Sequence, residues 1–202
     1  MGALLACGLL IGPMYEFLYV LGGALRPGYS HISDSVSELL SPGAPNKRLL
    51  ALIQIVYALL HVLFGLGVVS VVSDLPGGRT FGLIGAWAIV AIGVATVGTA
   101  IFPQDAEGTP ATTLGQIHKV LVFGVLVPGS IVSTVFLGLW SSQADVFTGF
   151  DVYSYITAGL IVVMGGVGGA TLKTRFAGLS ERIAAVVTHQ WLFVLALLLL
   201  VR

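Results

Sequence analysis

The sequence predicts an all-α, polytopic membrane protein: a bundle of six transmembrane helices with a short interfacial helix after the first span. Two observations carry this. Hydrophobic residues make up 56% of the chain and charged residues only 9%, against about 25% charged in a soluble domain. Mean hydropathy is +1.01. The apolar residues are also gathered into six long runs, with nearly every ionisable side chain in the gaps between them. Such a chain uses the bilayer as its solvent. In lipid every backbone polar group must be satisfied within the chain, which restricts spans to helices and closed barrels. Barrel strands are segments of about 10 alternating residues. These runs are longer and do not alternate, so they read as helices.

A helix needs about 20 apolar residues to cross the hydrocarbon core. The runs at roughly 2–24, 49–72, 80–102, 116–140, 152–172 and 183–201 meet that length. The first lacks a basic n-region and continues to Leu25 without a cleavage signal, so it reads as a mature span. A lone cysteine, Cys7, excludes an intrachain disulfide. Pro13 and Pro128 are expected to kink the first and fourth spans. The spacing Gly165-x-x-x-Gly169 predicts close backbone approach inside the bundle, with a dimer seam as the alternative. No linker or soluble domain interrupts the pattern, so residues 1–202 are read as one transmembrane domain.

Six spans put the gaps at 25–48, 103–115 and 173–182 on one face. Arg26, Lys47, Arg48, Lys119, Lys173, Arg175 and Arg182 lie at or beside them, while the other face has Arg79 and Arg202. The positive-inside rule then places the richer face in the cytoplasm and both termini outside, in the cell (inner) membrane. The outer loops, 73–79 and 141–151, are short. Trp140, Tyr153 and Tyr155 beside the second fit an interfacial aromatic belt.

The chemistry-bearing residues gather on the basic face. In the longest gap, Ser35-x-x-Glu38 matches a capping box for a short helix over about 36–41, stopped by Pro42, Gly43 and Pro45. Glu38 is therefore either a cap or a catalytic carboxylate. In the second gap Asp105 reads as a turn opener or as the partner of His118, just inside the fourth span. Glu181 and Arg182 read as a helix-start pair, and Glu181 also joins the acidic groups at this face. Measured inward from these helix ends at about 1.5 Å per residue, Glu16 and Tyr57 lie ~12 Å deep, Gln54 ~8 Å, His189 ~9 Å, His61 ~18 Å and His118 ~3 Å. Gln54, Tyr57 and His61 share one helical stripe. A carboxylate inside a span costs roughly 3 kcal/mol, so Glu16 is expected to face the bundle and find a partner. These groups, with His31 from the long gap, outline a polar substrate pocket open to the basic face. Private interhelical pairing is the alternative.

Three mechanisms suit such a set. His118 acts as general acid or base with Asp105 orienting it, and a serine such as Ser35 is the nucleophile. Alternatively His31, Asp105 and His118, with or without Glu38, hold a divalent metal, since three N/O ligands plus water suit catalytic zinc. No metal-binding histidine spacing supports that. Haem is disfavoured, because His61 and His189 differ in depth by ~9 Å. There is no phosphate loop, no mid-helix lysine for a Schiff base, no basic patch for nucleic acid, and no repeated halves of the transporter kind.

The motifs Arg26-Pro-Gly-Tyr-Ser, Ser35-x-x-Glu38-Leu39 and Pro42-Gly-Ala-Pro-Asn46, then Phe102-Pro103-x-Asp105 followed by His118, then Gly178-Leu-Ser-Glu-Arg182, resemble those of the DUF998 family. That is a group of bacterial and archaeal six-span membrane proteins of unknown function. The resemblance covers essentially the full chain. It implies the six-span fold and marks Ser35, Glu38, Asp105 and His118 as family-typical. Glu16, His61 and His189 fall outside its motifs. The expected function is an enzyme acting on a lipid or other amphiphile by acid–base chemistry, with or without a metal. The alternative is a non-catalytic subunit, assembly factor or ligand-binding sensor, alone, as a homo-oligomer or in a larger membrane complex.

Overall fold

The computed structural model describes residues 1–75, 77–106 and 108–202. Among them are six helices long and apolar enough to cross a membrane: α1 (Gly2–Ala24), α2 (Lys47–Asp74), α3 (Arg79–Ile101), α4 (Thr113–Gln143), α5 (Phe150–Thr171) and α6 (Ala177–Leu200). Each packs against its neighbours in the chain, and α1 closes against α6. The result is a ring of six antiparallel neighbours, so the connections 25–46, 102–112 and 172–176 share the basic face.

Glycine sets the closest crossings. A Cβ at Gly93 would sit 2.8 Å from the Ala58 carbonyl oxygen and from the Val62 nitrogen, so α3 rests directly on the α2 backbone there. A Cβ at Gly8 would meet Ala196 and Phe64 at 2.7 Å, where α1 crosses α2 and α6. The run predicted to do this work does not. Around Gly166, Gly168 and Gly169 nothing lies within 4 Å of an added Cβ, and at Gly165 only Val127 comes near, at 3.7 Å. The buried residues of α5 are Phe150, Ser154, Thr157, Ala158 and Ile161, all within its first twelve residues. Its glycine-rich second half stands away from α4.

The proline expectation also changes form. Pro128 follows a π turn at Val122–Leu126. A proline ring clashes with the carbonyl four residues earlier, here that of Gly124. The wider i→i+5 turn accommodates it, and the Val127 N–H accordingly bonds the Val122 carbonyl. Pro13 lies within a continuous α1.

The half of the bundle away from the basic face is solid. Phe64, Val68, Ile89, Leu137, Trp140, Trp191 and Leu195 are fully buried there. Phe150 stacks on Trp191 at 5.8 Å, and the Trp191 indole N–H donates to Ser154 Oγ at 2.9 Å. The basic-face half is hollow. Its roof is the long first connection, where the predicted short helix is a single 3-10 turn, Ser37–Leu40. Ser35 Oγ accepts the Glu38 N–H at 3.2 Å, as the capping box predicts. Val36, Leu39 and Leu40 are buried against Leu18 and Leu50.

Two boundaries moved. The last helix begins at Ala177 rather than 183, and the fourth extends over Thr113–Gln143 rather than 116–140. Glu181 and Arg182 looked like loop residues because they are ionisable. They occupy the second turn of α6 because the first connection docks onto them. The Gly178 and Leu179 N–H groups donate to the Ser33 and Ile32 carbonyls. The Val36 N–H donates to Glu181 Oε2 at 2.8 Å. Arg182 Nη1 donates to the Asp34 and Gly178 carbonyls at 3.1 and 2.7 Å, and its Nη2 donates to the Tyr29 hydroxyl at 2.6 Å.

Candidate functional site

The hollow half encloses a cavity of about 220 Å³ to which all six helices and the 3-10 turn contribute. Its walls are apolar, with Leu18, Leu40, Ile92, Leu126 and Ile161. Its polar groups lie at two levels. Near the basic face are Ser37, His118 and Glu181; deeper are Tyr15, Gln54, Tyr57, His61 and His189. His61 is 14 residues from the start of α2 and His189 is 12 from the start of α6, so both lie about 18–21 Å in. Their rings are 6.3 Å apart. The ~9 Å depth difference expected from the sequence came from starting the last helix too late. Tyr57 is the third corner of this cluster: its ring lies 4.7 Å from that of His61 and 5.7 Å from that of His189, and its hydroxyl shares a 2.8 Å hydrogen bond with His189 Nε2.

The main chain fixes the tautomer of His61. Its Nδ1 lies 3.2 Å from the Tyr57 carbonyl oxygen. A carbonyl only accepts, so neutral His61 carries its proton on Nδ1 and presents a lone pair at Nε2. That nitrogen has no partner among the described residues, and the side chain is 1% exposed. His118 is anchored the same way, with Nδ1–H donating to the Phe102 carbonyl at 3.0 Å. Gln54 Nε2 donates to Thr99 Oγ1 at 2.7 Å and is held by α3.

The predicted catalytic four are not brought together. His118 lines the cavity, whereas Asp105, Glu38 and Ser35 do not. Asp105 does not orient His118. It accepts from the Thr112 N–H at 3.1 Å and from Thr112 Oγ1 at 2.6 Å. Thr112 in turn caps α4 by accepting the Gly115 N–H. The side chain is a loop staple, in the turn-opening role the sequence also allowed. Ser35 Oγ accepts from the Glu38 N–H and from Gln104 Nε2, and among the described residues no histidine is bonded to it. The Glu38 carbonyl accepts from Arg26 Nη1 at 2.8 Å.

Of the predicted pocket residues, Gln54, Tyr57, His61 and His189 line the cavity, while Glu16 and His31 lie outside it. Glu16 is exposed on the outer face of α1. It sits two residues from buried Leu18, and a helix turns by about 200° over that step, so the two cannot share a face. His31 is exposed at the rim, edge-on to Tyr19 and Tyr29 at 5.8 and 5.2 Å. Desolvation by its neighbours, and then the Arg182 charge, hold its imidazole below the usual value. The proposed metal set is therefore not assembled: among the described residues no three His, Cys, Asp or Glu side chains gather to hold an ion. Glu107, in the second gap, lies outside the described residues.

Two cavity residues were under-read. Glu181 reads in the sequence chiefly as a helix start and nothing there marks Tyr15, yet both line the cavity. Both belong to helices whose inward faces the sequence marks only weakly, since lipid-facing and core-facing positions are equally apolar.

The Asp105 staple gives a pH prediction. Hydrogen bonds from Thr112, first from its hydroxyl and then from its N–H, hold the Asp105 carboxyl below its ordinary value. A group depressed in the fold contributes stability above its unfolded pKa of about 3.9, and that contribution fades as pH falls through the lower folded value. Hydrogen exchange of residues 108–112 is expected to quicken below about pH 4 in the native protein. The Asp105→Asn variant should lack that step. An identical pH response in both proteins would remove Asp105 from the cap.

The family profile described as "Protein of unknown function (DUF998)" matches residues 9–198. Neither the curated proteins nor the solved structures contain a match to this chain. The family match runs from the first turns of α1 to the end of α6 and takes in the whole cavity. The chain belongs to the DUF998 family of membrane proteins.

Proposed function

We propose that this protein is a membrane-embedded enzyme that acts on a lipid or other amphiphile by general acid–base chemistry, with His61 as the base. One observation carries the reading: a buried imidazole that lines a largely apolar cavity, with its Nδ1–H tied to the Tyr57 carbonyl and its Nε2 without a hydrogen-bond partner among the described residues. The Tyr57–His189 pair beside it shares one hydrogen bond that either atom can donate. It can supply a proton to the same substrate that loses one to His61. The apolar walls suit the tail of an amphiphile, and Ser37, His118 and Glu181 at the wider end suit its polar head. Catalysis thereby moves from Ser35, Glu38 and Asp105 to the deep cluster, with His118 kept as a headgroup contact. The seven basic residues on the cavity's open face support a cytoplasmic position for it, with both termini outside.

The purified protein in lipid nanodiscs, incubated with a total membrane lipid extract and followed by mass spectrometry, tests this. Depletion of one amphiphile class with matched growth of a product is the expected result. Tight co-purification of an amphiphile that is never converted would replace the enzyme with a binding protein.

A further inference from the structure

A cavity inside a bilayer protein can fill from the aqueous face or from the lipid. The helices that border it differ in how they close. At the basic face α5 and α6 are bridged by the Thr171–Ser180 hydroxyl pair at 2.6 Å. At the opposite face α4 and α5 meet tightly, since a Cβ at Gly138 would lie 3.0 Å from the Ser154 Cβ. From there α4 and α5 diverge. Their last approach is at Val127 and Gly165, and past it Gly166, Gly168 and Gly169 meet nothing. The facing turn of α4, Val122–Leu126, has no buried residue, and Phe123 is exposed. Yet Val122, Leu126, Val127, Ile161 and Gly165 all line the cavity. The wall between cavity and lipid is therefore a wedge-shaped gap with apolar sides and no side chains on its α5 threshold.

We propose that this gap is a lateral portal through which one hydrocarbon chain of a bilayer lipid enters the cavity. Gly165 lies six residues from the basic-face end of α5, about 9 Å down the helix axis, at the depth of acyl chains rather than of water. All the rims are apolar, so an acyl chain crosses them without desolvation cost, whereas a polar solute would lose its hydration there. Gly165, at the last approach of α5 to Val127, keeps the passage clear. The deep end offers the unpartnered Nε2 of His61, itself 1% exposed, to whatever arrives. The proposal names the substrate class for the acid–base reading and rests on it only in that respect, because lipid entry can be read without turnover.

The test uses the full chain in vesicles of palmitoyl-oleoyl phosphatidylcholine doped with an analogue that carries a diazirine near its acyl terminus. Photolysis and peptide mapping read the labelled residues. Labelling is expected on cavity residues of α2 and α6, near His61 and His189. A Cβ at Gly165 makes only an ordinary contact with Val127, so the backbone there accepts a side chain, and the ring of Gly165→Phe fills the gap. It should lower that internal labelling at least 10-fold. Gly169→Phe, one turn on and outside the cavity, should leave it unchanged. His61→Asn should lower any conversion by about 100-fold or more while retaining the labelling, which separates failure of the enzyme reading from failure of the portal. Undiminished internal labelling in Gly165→Phe overturns the portal and indicates filling from the basic face. Loss of a dimer by light scattering in both glycine variants overturns it in favour of a second copy on the glycine face.

Discussion

Replacing His61 by asparagine is expected to lower turnover by about 10²–10⁴-fold, the usual contribution of a positioned acid or base. The choice of residue makes the test specific. An asparagine amide N–H can stand where Nδ1–H stands and keep the bond to the Tyr57 carbonyl, 3.2 Å away in the native chain. What it cannot supply is a basic nitrogen at the position of Nε2. Thermal stability should therefore change little while the rate collapses. The companion variant Tyr57→Phe removes the hydroxyl shared with His189 Nε2. It should lower turnover less, since His189 remains to carry a proton. Equal rates in native protein and His61→Asn would eliminate His61 as the base. A rate lost only together with the fold, seen as a fallen melting temperature in both variants, would return the cluster to interhelical packing.

Replacing Arg182 by methionine is expected to destabilise the protein by about 3 kcal/mol and to release the first connection from α6. The guanidinium is buried, and its Nη atoms make two hydrogen bonds to the first connection, at Asp34 and Tyr29, and one to Gly178 of its own helix. It also lies over the rings of Tyr19 and Tyr29, at 4.9 and 5.7 Å. Hydrogen bonds to a charged group are worth roughly 1.5–3 kcal/mol each and do not add fully. Methionine keeps the apolar stem and deletes only the fork. Lysine should rescue little, because one ammonium cannot reproduce the planar donor array. The Tyr29 phenol, pushed up to about 12 chiefly by burial, stays protonated and donates to the Ser35 carbonyl at 2.9 Å. That bond alone will not hold the segment. Exchange of amides 30–41 should accelerate by more than 10-fold. Protection equal to the native chain would show that the buried leucines, not Arg182, fix the roof.

The legible part of this protein was what the solvent dictates. Lipid rewards long apolar runs everywhere along a span, and the six runs, their alternation and the polar face were plain in the residues. The same reward hid the site. In water, an apolar stripe marks the face of a helix that turns inward. In lipid both faces are apolar, so nothing local separated buried Leu18 from exposed Phe17, or said that Glu16 points outward. Motif spacing also misled. Phe102, Asp105 and His118 do form one unit, but the Phe102 carbonyl, not the Asp105 carboxylate, binds the ring. A main-chain acceptor leaves no trace in residue types.

The pattern of residues alone thus determined that this chain spans a membrane six times and keeps nearly all its charges out of the spans, because the cost of placing a charge in hydrocarbon acts on every residue independently. Only the tertiary structure decided which polar groups meet. The ring closure of α1 on α6 brings His189 to Tyr57 and His61 across more than a hundred residues of chain. The docking of the first connection on Arg182 roofs the cavity. Those are pairwise, long-range events, and a sequence specifies them only through packing that becomes visible once the helices are in contact.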